Sequence, residues 1–235
     1  MLLNSLAAIL WPARCAGCNA FVPEGTPFCP ACDLSVVALG TLCPGCAMPF
    51  ESGKLCPGCL RRPFPFARAM AALAYGGSLA QAILRFKHGD SRHLARPLAG
   101  FLVPLLTQAA ERGIDLACPV PLHPRRLRQR GYNQALELLR ATSADLSRTG
   151  RLPIVCDALV RTVDTPALGH GSPAQRSLAV ARAFAVPRPA RVAGRRVLVV
   201  DDVMTTGATL AECARTLTFA GAVEVWVLAL ARALR

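Results

Sequence analysis

The sequence predicts an α/β fold, a mostly parallel sheet with helices on both faces, preceded by a small N-terminal metal-binding module. Three observations carry this expectation. Eight cysteines are paired as CxxC within the first sixty residues, strand-like and helix-like patterns alternate from about residue 67, and a buried-type apolar run ends in two aspartates at Val197–Asp202. The chain has 235 residues, enough for one sizeable domain and an appendage, and at 53% hydrophobic and 17% charged it is too apolar for intrinsic disorder. Its apolar stretches, such as Leu98 to Leu106 with Pro104 inside, fall well short of the ~20 residues of a membrane span, so none is expected.

The first residues, MLLNSLAAILWPARC, carry no early Lys or Arg and no small-residue cleavage site, and Arg14 directly precedes Cys15, so the expected setting is cytoplasmic. Leu2, Leu6, Ile9 and Leu10 share one helical face and predict a short amphipathic helix against the body. The cysteine pairs follow: Cys15/Cys18, Cys29/Cys32, Cys43/Cys46 and Cys56/Cys59, separated by ten, ten and nine residues, each with Gly or Pro inside or beside it. CxxC spacing lets two thiolates converge on one metal from a tight turn, and two such pairs complete a tetrahedral zinc site. Four pairs therefore mean two zincs. Sequential pairing into two ribbons is the first expectation, with cross-bracing as the alternative. Disulfides and an iron–sulfur cluster are the competing readings, against which the regular spacing tells. With sulfur at all four positions no place remains for an activated water, so both zincs are expected to be structural. Cys118, Cys156 and Cys213 share no spacing pattern and are expected to be small buried residues.

Arg61 to Arg68, RRPFPFAR, is expected to be a linker, dividing the chain into 1–62 and 63–235. Beyond it, Met70 to Tyr75 is expected to open the sheet, Ser78 to cap a helix carrying Leu79, Ile83, Leu84 and Phe86, and a longer helix to run from about Leu94 to Ala110. Ala117 to Val120 reads as a short strand stopping at Pro121, Asn133 to Leu146 as a helix, and Leu152 to Val160 as another strand.

The chemistry is concentrated in Val197 to Leu210, VLVVDDVMTTGATL. Four β-preferring apolar residues mark a strand buried on both faces, and ligands of parallel sheets bind at the carboxyl ends of strands, where Asp201 and Asp202 fall. The chain then turns through Thr205, Thr206 and Gly207 into an apolar helix near Ala208. Such a loop presents N–H groups and hydroxyls to an anion. Carboxylates beside a phosphate cradle suit a ligand with both hydroxyls and a phosphate, such as a ribose 5-phosphate. The alternative is an ordinary strand, turn and helix with Asp and Thr as caps.

Net charge is +13, and 25 of the 27 basic residues are Arg, leaving Lys54 and Lys87 as the lysines. Two zinc tetrathiolates would lower this to roughly +9. A polyanionic partner is expected, a phosphorylated small molecule or nucleic acid.

The segment from Val197 resembles the phosphoribosyl-pyrophosphate (PRPP) loop of the type I phosphoribosyltransferases. The whole chain resembles the ComF family in the double CxxC ribbon, in Ile83 to Asp90 (ILRFKHGD), in Pro119 to Ala135 (PVPLHPRRLRQRGYNQA), and in the PRPP loop followed by Gly221. The resemblance implies a phosphoribosyltransferase fold, linked in some bacteria to natural competence and uptake of transforming DNA. It implies that Asp201 and Asp202 contact the ribose hydroxyls, that Thr205, Thr206, Gly207, Ala208 and Thr209 hold the 5-phosphate, and that Val120 to Arg126 forms the pyrophosphate-side loop. Among Arg125, Arg126, Arg128 and Arg130, the preferred catalytic pair is Arg126 and Arg130, and Lys87 is a candidate anion contact. His88, His93, His123 and His170 are assigned to no metal. Mg²⁺ is expected with PRPP, and the activity is pentosyl transfer to a base, ammonia or another amine. The chain departs from the family pattern in 165–184, where Leu168 stands in the place of a Gln and Ala179 in that of an Asn. The binding alternative is a PRPP sensor or single-stranded-DNA-binding accessory, and the adaptor alternative docks its ribbons on a competence helicase or another DNA-uptake protein.

Overall fold

The computed structural model describes residues 12–51, 53–88, 91–146, 152–165, 178 and 180–234. The N-terminal helix expected around Leu2 to Leu10, and Asp90, Leu168, His170 and Ala179, lie outside them. A four-stranded parallel sheet runs in the order β1-β6-β5-β2, from β1 (Arg68–Ala74), β2 (Leu116–Pro119), β5 (Arg196–Met204) and β6 (Glu224–Arg232). β5 and β6 pair in register from Arg196 opposite Glu224 to Met204 opposite Arg232. The expected class, a parallel sheet covered on both faces and preceded by cysteine clusters, is what is found.

Alternation along the two central strands sorts the core into two layers. Leu198 and Val200 of β5 and Trp226, Leu228 and Leu230 of β6 join one cluster with Leu79, Ile83 and Phe86 of α3 (Gly77–Lys87), Leu98 of α4 (Ala95–Ala99), Leu106 of α5 (Val103–Glu111) and Leu138 and Leu139 of α7 (Gln134–Leu146). Val197, Val199, Val225, Val227 and Ala229 face the other way, onto Leu210, Cys213 and Leu217 of α8 (Ala208–Phe219). Burial on both faces explains why the strands read as continuous apolar runs. The cysteine segment joins both layers: Cys15, Phe28 and Cys32 belong to the first and Ala47 to the second.

Several expectations are corrected. The long helix from Leu94 is broken into α4 and α5, because Pro104 has no N–H to continue the ladder and its ring would meet the carbonyl of Gly100. Ser78 lies inside the first turn of α3; its N–H donates to the Oγ of Ser35 at 3.0 Å, so the hydroxyl serving this helix start comes from the cysteine segment. At Gly77 a φ of +48° and a Cβ position 2.7 Å from Ser35 leave room for glycine only. The strand expected over Leu152 to Val160 shrinks to a bridge between Ala117 and Ile154 and a two-residue β3 (Val160–Arg161) antiparallel to β4 (Phe184–Ala185). Between them the chain turns at Asp157, which pairs with Arg188 and Arg191. Cys118 and Cys213 are buried, but Cys156 is exposed at this turn. The Arg61–Arg68 stretch is packed, with Phe66 buried and its ring stacked on Phe64 at 4.9 Å.

Candidate ligand site and cysteine tetrads

The eight paired cysteines form two tetrads in sequence order, Cys15/Cys18/Cys29/Cys32 and Cys43/Cys46/Cys56/Cys59, with the four sulfurs of each within 4.8 Å of one another. Pairing is therefore sequential, and the cross-braced alternative falls. Each second pair opens a short helix, α1 (Pro30–Asp33) after Cys29 and α2 (Pro57–Arg61) after Cys56, with Pro in the position where a missing N–H costs least. A tetrahedral Zn–S length of about 2.3 Å requires S···S edges near about 3.8 Å. Cys18 and Cys29 sulfurs stand 3.7 Å apart, and those of Cys46 and Cys56 3.8 Å. The N–H of Cys29 points at the Cys15 Sγ (3.3 Å) and that of Cys56 at the Cys43 Sγ (3.2 Å), as thiolate ligands require. Four neighbouring thiols resist joint ionisation: the Cys59 N–H leads the groups that lower Cys56 to about 7, while burial pushes Cys46 up to about 11. A divalent cation removes that conflict, so the donor sets fit two structural zincs.

The second feature is the carboxyl edge of β5. Pairing with β2 ends at Pro119 opposite Val200, so Asp201 and Asp202 lie just beyond the end of that neighbour. Asp202 is 7% exposed; its Oδ2 takes no aligned hydrogen bond but stands 3.0 Å from the Nζ of Lys87, the last residue of α3. The Asp202 N–H donates to Asp201 Oδ1 at 2.9 Å. Removal from water, followed by the adjacent Asp202 carboxylate, pushes Asp201 up to about 7 against the pull of Lys87. The turn Thr205–Thr206–Gly207 then enters α8 with Gly207 at φ +79° as its N-cap, and the Thr206 hydroxyl accepts the Ala208 N–H at 3.3 Å. A Cβ on Gly207 would lie 2.8 Å from the Met204 side chain and 3.0 Å from the Phe64 ring.

The motifs quoted from the sequence meet around Lys87. Tyr132 donates its hydroxyl hydrogen to the Phe86 carbonyl at 2.6 Å and the Gln134 amide donates to the same oxygen at 3.2 Å. Arg130 donates to Gln134 Oε1 at 3.0 Å, which places it behind this clamp. Asn133 holds the Val120 carbonyl at 2.9 Å. From the other side, Arg85 of α3 donates to the carbonyls of Cys15, Ala16 and Gly17 in the first ribbon.

Arg126 lies on α6 (Pro124–Arg130), a helix with no buried residue, and donates to the Thr165 carbonyl at 2.6 Å. Arg161, which no sequence motif singles out, donates to the Thr165 hydroxyl. Burial, then the neighbouring Arg126 guanidinium, pushes Arg161 down, against the charges of Asp201 and Asp164 among others. The structure thus gathers Arg126 and Arg161 at Thr165, and Lys87 with the aspartates and the Thr-Gly loop. Arg125 is exposed and 3.6 Å from Asp164. Arg161 was one Arg among 25 with no spacing signal; Tyr132 and Gln134 stood in a quoted motif without a stated task.

Residues 6–60 match the double zinc ribbon domain. The chain is 34% identical over 208 residues to the DNA utilization protein YhgH of Escherichia coli K12, covering 85% of this chain and 88% of that protein. It is 31% identical over 225 residues to competence protein F of Haemophilus influenzae, covering 93% and 90%. Among solved structures, a purine phosphoribosyltransferase from Pyrococcus horikoshii overlays on 57% of this chain and 73% of its own at 17% identity, with a TM-score of 0.36. A glutamine PRPP amidotransferase from Bacillus subtilis overlays on 58% and 26% at 20% identity, with a TM-score of 0.38. With two relatives above 30% identity along most of its length, the chain belongs to the ComF-like family of YhgH and competence protein F.

Proposed function

We propose that this chain binds PRPP at the carboxyl edge of β5 and transfers its ribose 5-phosphate to an acceptor such as a base, ammonia or another amine with release of pyrophosphate, in a cytoplasmic setting linked to DNA uptake. The observation that carries the reading is the buried Asp202, whose Oδ2 is matched by Lys87 but takes no aligned hydrogen bond, five residues before the left-handed Gly207 of an anion-type loop. In this reading Asp201 and Asp202 accept from the ribose hydroxyls, and Thr205, Thr206, Gly207, Ala208 and Thr209 surround the 5-phosphate. Arg126 and Arg161 face the diphosphate, while Arg130 acts through Gln134 on the backbone that carries Lys87. Bond breaking at C1 of the ribose leaves positive character on the sugar and negative charge on the leaving group, so fixed guanidinium and carboxylate groups supply the stabilisation. Mg²⁺ arriving with the diphosphate would neutralise part of that charge, and Asp201, the less buried aspartate, would be the side chain to meet it. Residues 63–235 form the transferase body and 1–62 its ribbon support.

A second reading keeps the ligand and drops the turnover, making the protein a PRPP sensor that also holds single-stranded DNA. It draws on the relatives, a DNA utilization protein and a competence protein, and on α6, which presents Arg125 and Arg128 to solvent. Calorimetric titration of the zinc-loaded chain with PRPP and Mg²⁺, beside D201N/D202N, tests the site. Binding is expected, weakened at least about tenfold in the double variant. Pyrophosphate release with an added acceptor then separates transfer from sensing. Absence of binding by the folded chain overturns both readings of the ligand.

A further inference from the structure

We infer that Arg232 is a positioning residue through which the metal in the second tetrad sets the shape of the phosphate loop. Arg232 ends β6 and is 5% exposed. Its Nε donates to the carbonyl of Cys46, a ligand of the second tetrad, at 2.8 Å. Its Nη1 donates to the carbonyls of Met204 (3.0 Å), Thr205 and Ala233 (2.9 Å). One rigid planar group therefore spans the backbone of a metal ligand and the two residues at which β5 becomes the loop.

Two further contacts anchor this tetrad, one to the loop and one to the sheet. Phe64 packs against the Cys43, Cys46 and Cys59 cluster, and its ring is 3.0 Å from where a Cβ of Gly207 would lie. The Ala69 N–H donates to the Pro44 carbonyl at 2.6 Å, pinning the knuckle between Cys43 and Cys46 to β1.

Metal binding fixes the Cys46 backbone, and with it one end of the guanidinium fork. A buried guanidinium that loses an acceptor must find another or shift, and its other acceptors include the Met204 and Thr205 carbonyls, where β5 becomes the loop. The coupling is reciprocal: whatever orders Thr205–Thr209 also holds the second metal more tightly. Arg85 gives the first tetrad no such route to this loop, since its bonds run from α3 to that ribbon. The inference deepens the reading of Thr205–Thr209 as a phosphate loop, but its main measurement needs no ligand.

The test uses the full chain loaded with zinc and then partly stripped with a chelator. Thiol alkylation identifies which tetrad has opened, and amide hydrogen exchange is followed at Thr205–Thr209. Loss of metal from the second tetrad should speed exchange there by about tenfold or more, while loss from the first alone should leave it within about twofold. R232Q with two zincs per chain should show the same fast exchange. R232K keeps the charge without the fork and should recover thermal stability but not loop protection, a split that a merely structural role would not produce. Unchanged exchange at Thr205–Thr209 after opening of the second tetrad, or in zinc-loaded R232Q, overturns the inference; if R232Q does not fold, the stripped parent decides alone. PRPP with Mg²⁺ should in turn slow alkylation of Cys46 and Cys56. Failure of PRPP to bind the parent would remove the ligand and leave the exchange result standing, whereas PRPP binding without the exchange effect would remove this inference alone.

Discussion

The two cysteine tetrads are built alike and used differently. In both the second cysteine pair opens a helix with Cys-Pro, both aim one N–H at the first sulfur at 3.2–3.3 Å, and both set a sulfur pair 3.7–3.8 Å apart. The first is absorbed into the larger core: Cys15, Ala16, Phe28 and Cys32 share a cluster with α3, whose last residue Lys87 meets Asp202. The second keeps a small cluster of its own, joined to the loop after β5 by Arg232 and Phe64. The same knuckle thus supports two walls of one site, one carrying a cation and the other a backbone cradle. A guanidinium reaches into each tetrad from the larger body, but from different elements: Arg85 of α3 to three carbonyls of the first ribbon, and Arg232 of β6 to one of the second.

The largest effect that breaks this comparison is removal of both metals. Structural zinc contributes on the order of 10 kcal/mol in isolated peptides at neutral pH. An independent appendage would spend that loss on itself and leave the sheet unmoved. Because buried residues of both ribbons lie inside the two layers of the core, chelation should lower the main thermal transition by more than about 10 °C. Calorimetric scans with and without chelator read this directly, and a separate small transition over an unshifted main one would show that the contacts carry little energy.

A smaller and more selective test is R85M. It removes hydrogen bonds to the carbonyls of Cys15, Ala16 and Gly17 and to Asn19, while keeping a side chain of similar length. Urea unfolding should show about 2 kcal/mol of lost stability, the range for hydrogen bonds from a charged donor. Exchange at the end of α3 should rise while Thr205–Thr209 stays protected. Equal loosening of both walls would mean that the tetrads act as one support.

What could be read in advance was the chemistry that local spacing encodes. Cysteine ligands two residues apart and a strand ending in Asp-Asp before Thr-Thr-Gly announce themselves, because the chain needs only a turn to bring them together. The supports are nonlocal. Arg232 lies 186 residues from Cys46 and Ser35 lies 43 from Ser78, so no periodicity connects them. The central strand β6 gives no local signal, because it carries apolar residues on both faces and neither alternation nor a motif. The opposite error arose at Leu94–Ala110, where helical periodicity continued through a proline that the backbone could not follow.

The finest test concerns Asp201, where the cation wall acts on the acidic pair. Its carboxyl is raised from an ordinary 3.8 to about 7, by loss of water contact first and the Asp202 carboxylate second. A group whose folded value is raised gives its full stability below the unfolded value and loses it as pH climbs through the folded one. Stability from Asp201 is therefore complete below about pH 4 and gone above about pH 7. D201N, neutral throughout, should match the parent near pH 4 and exceed it at pH 8 by about 2 kcal/mol, half the full linkage value to allow for partial exposure. Lys87 opposes the shift, so K87M should raise the folded value further, extend the loss of stability to higher pH and enlarge the D201N advantage there. A side chain that costs stability in the protein's own working range is retained for what it binds, so D201N should gain melting temperature and lose PRPP affinity together. If D201N gains neither stability at pH 8 nor loses affinity, Asp201 belongs to the scaffold and the cation wall stabilises a strand end.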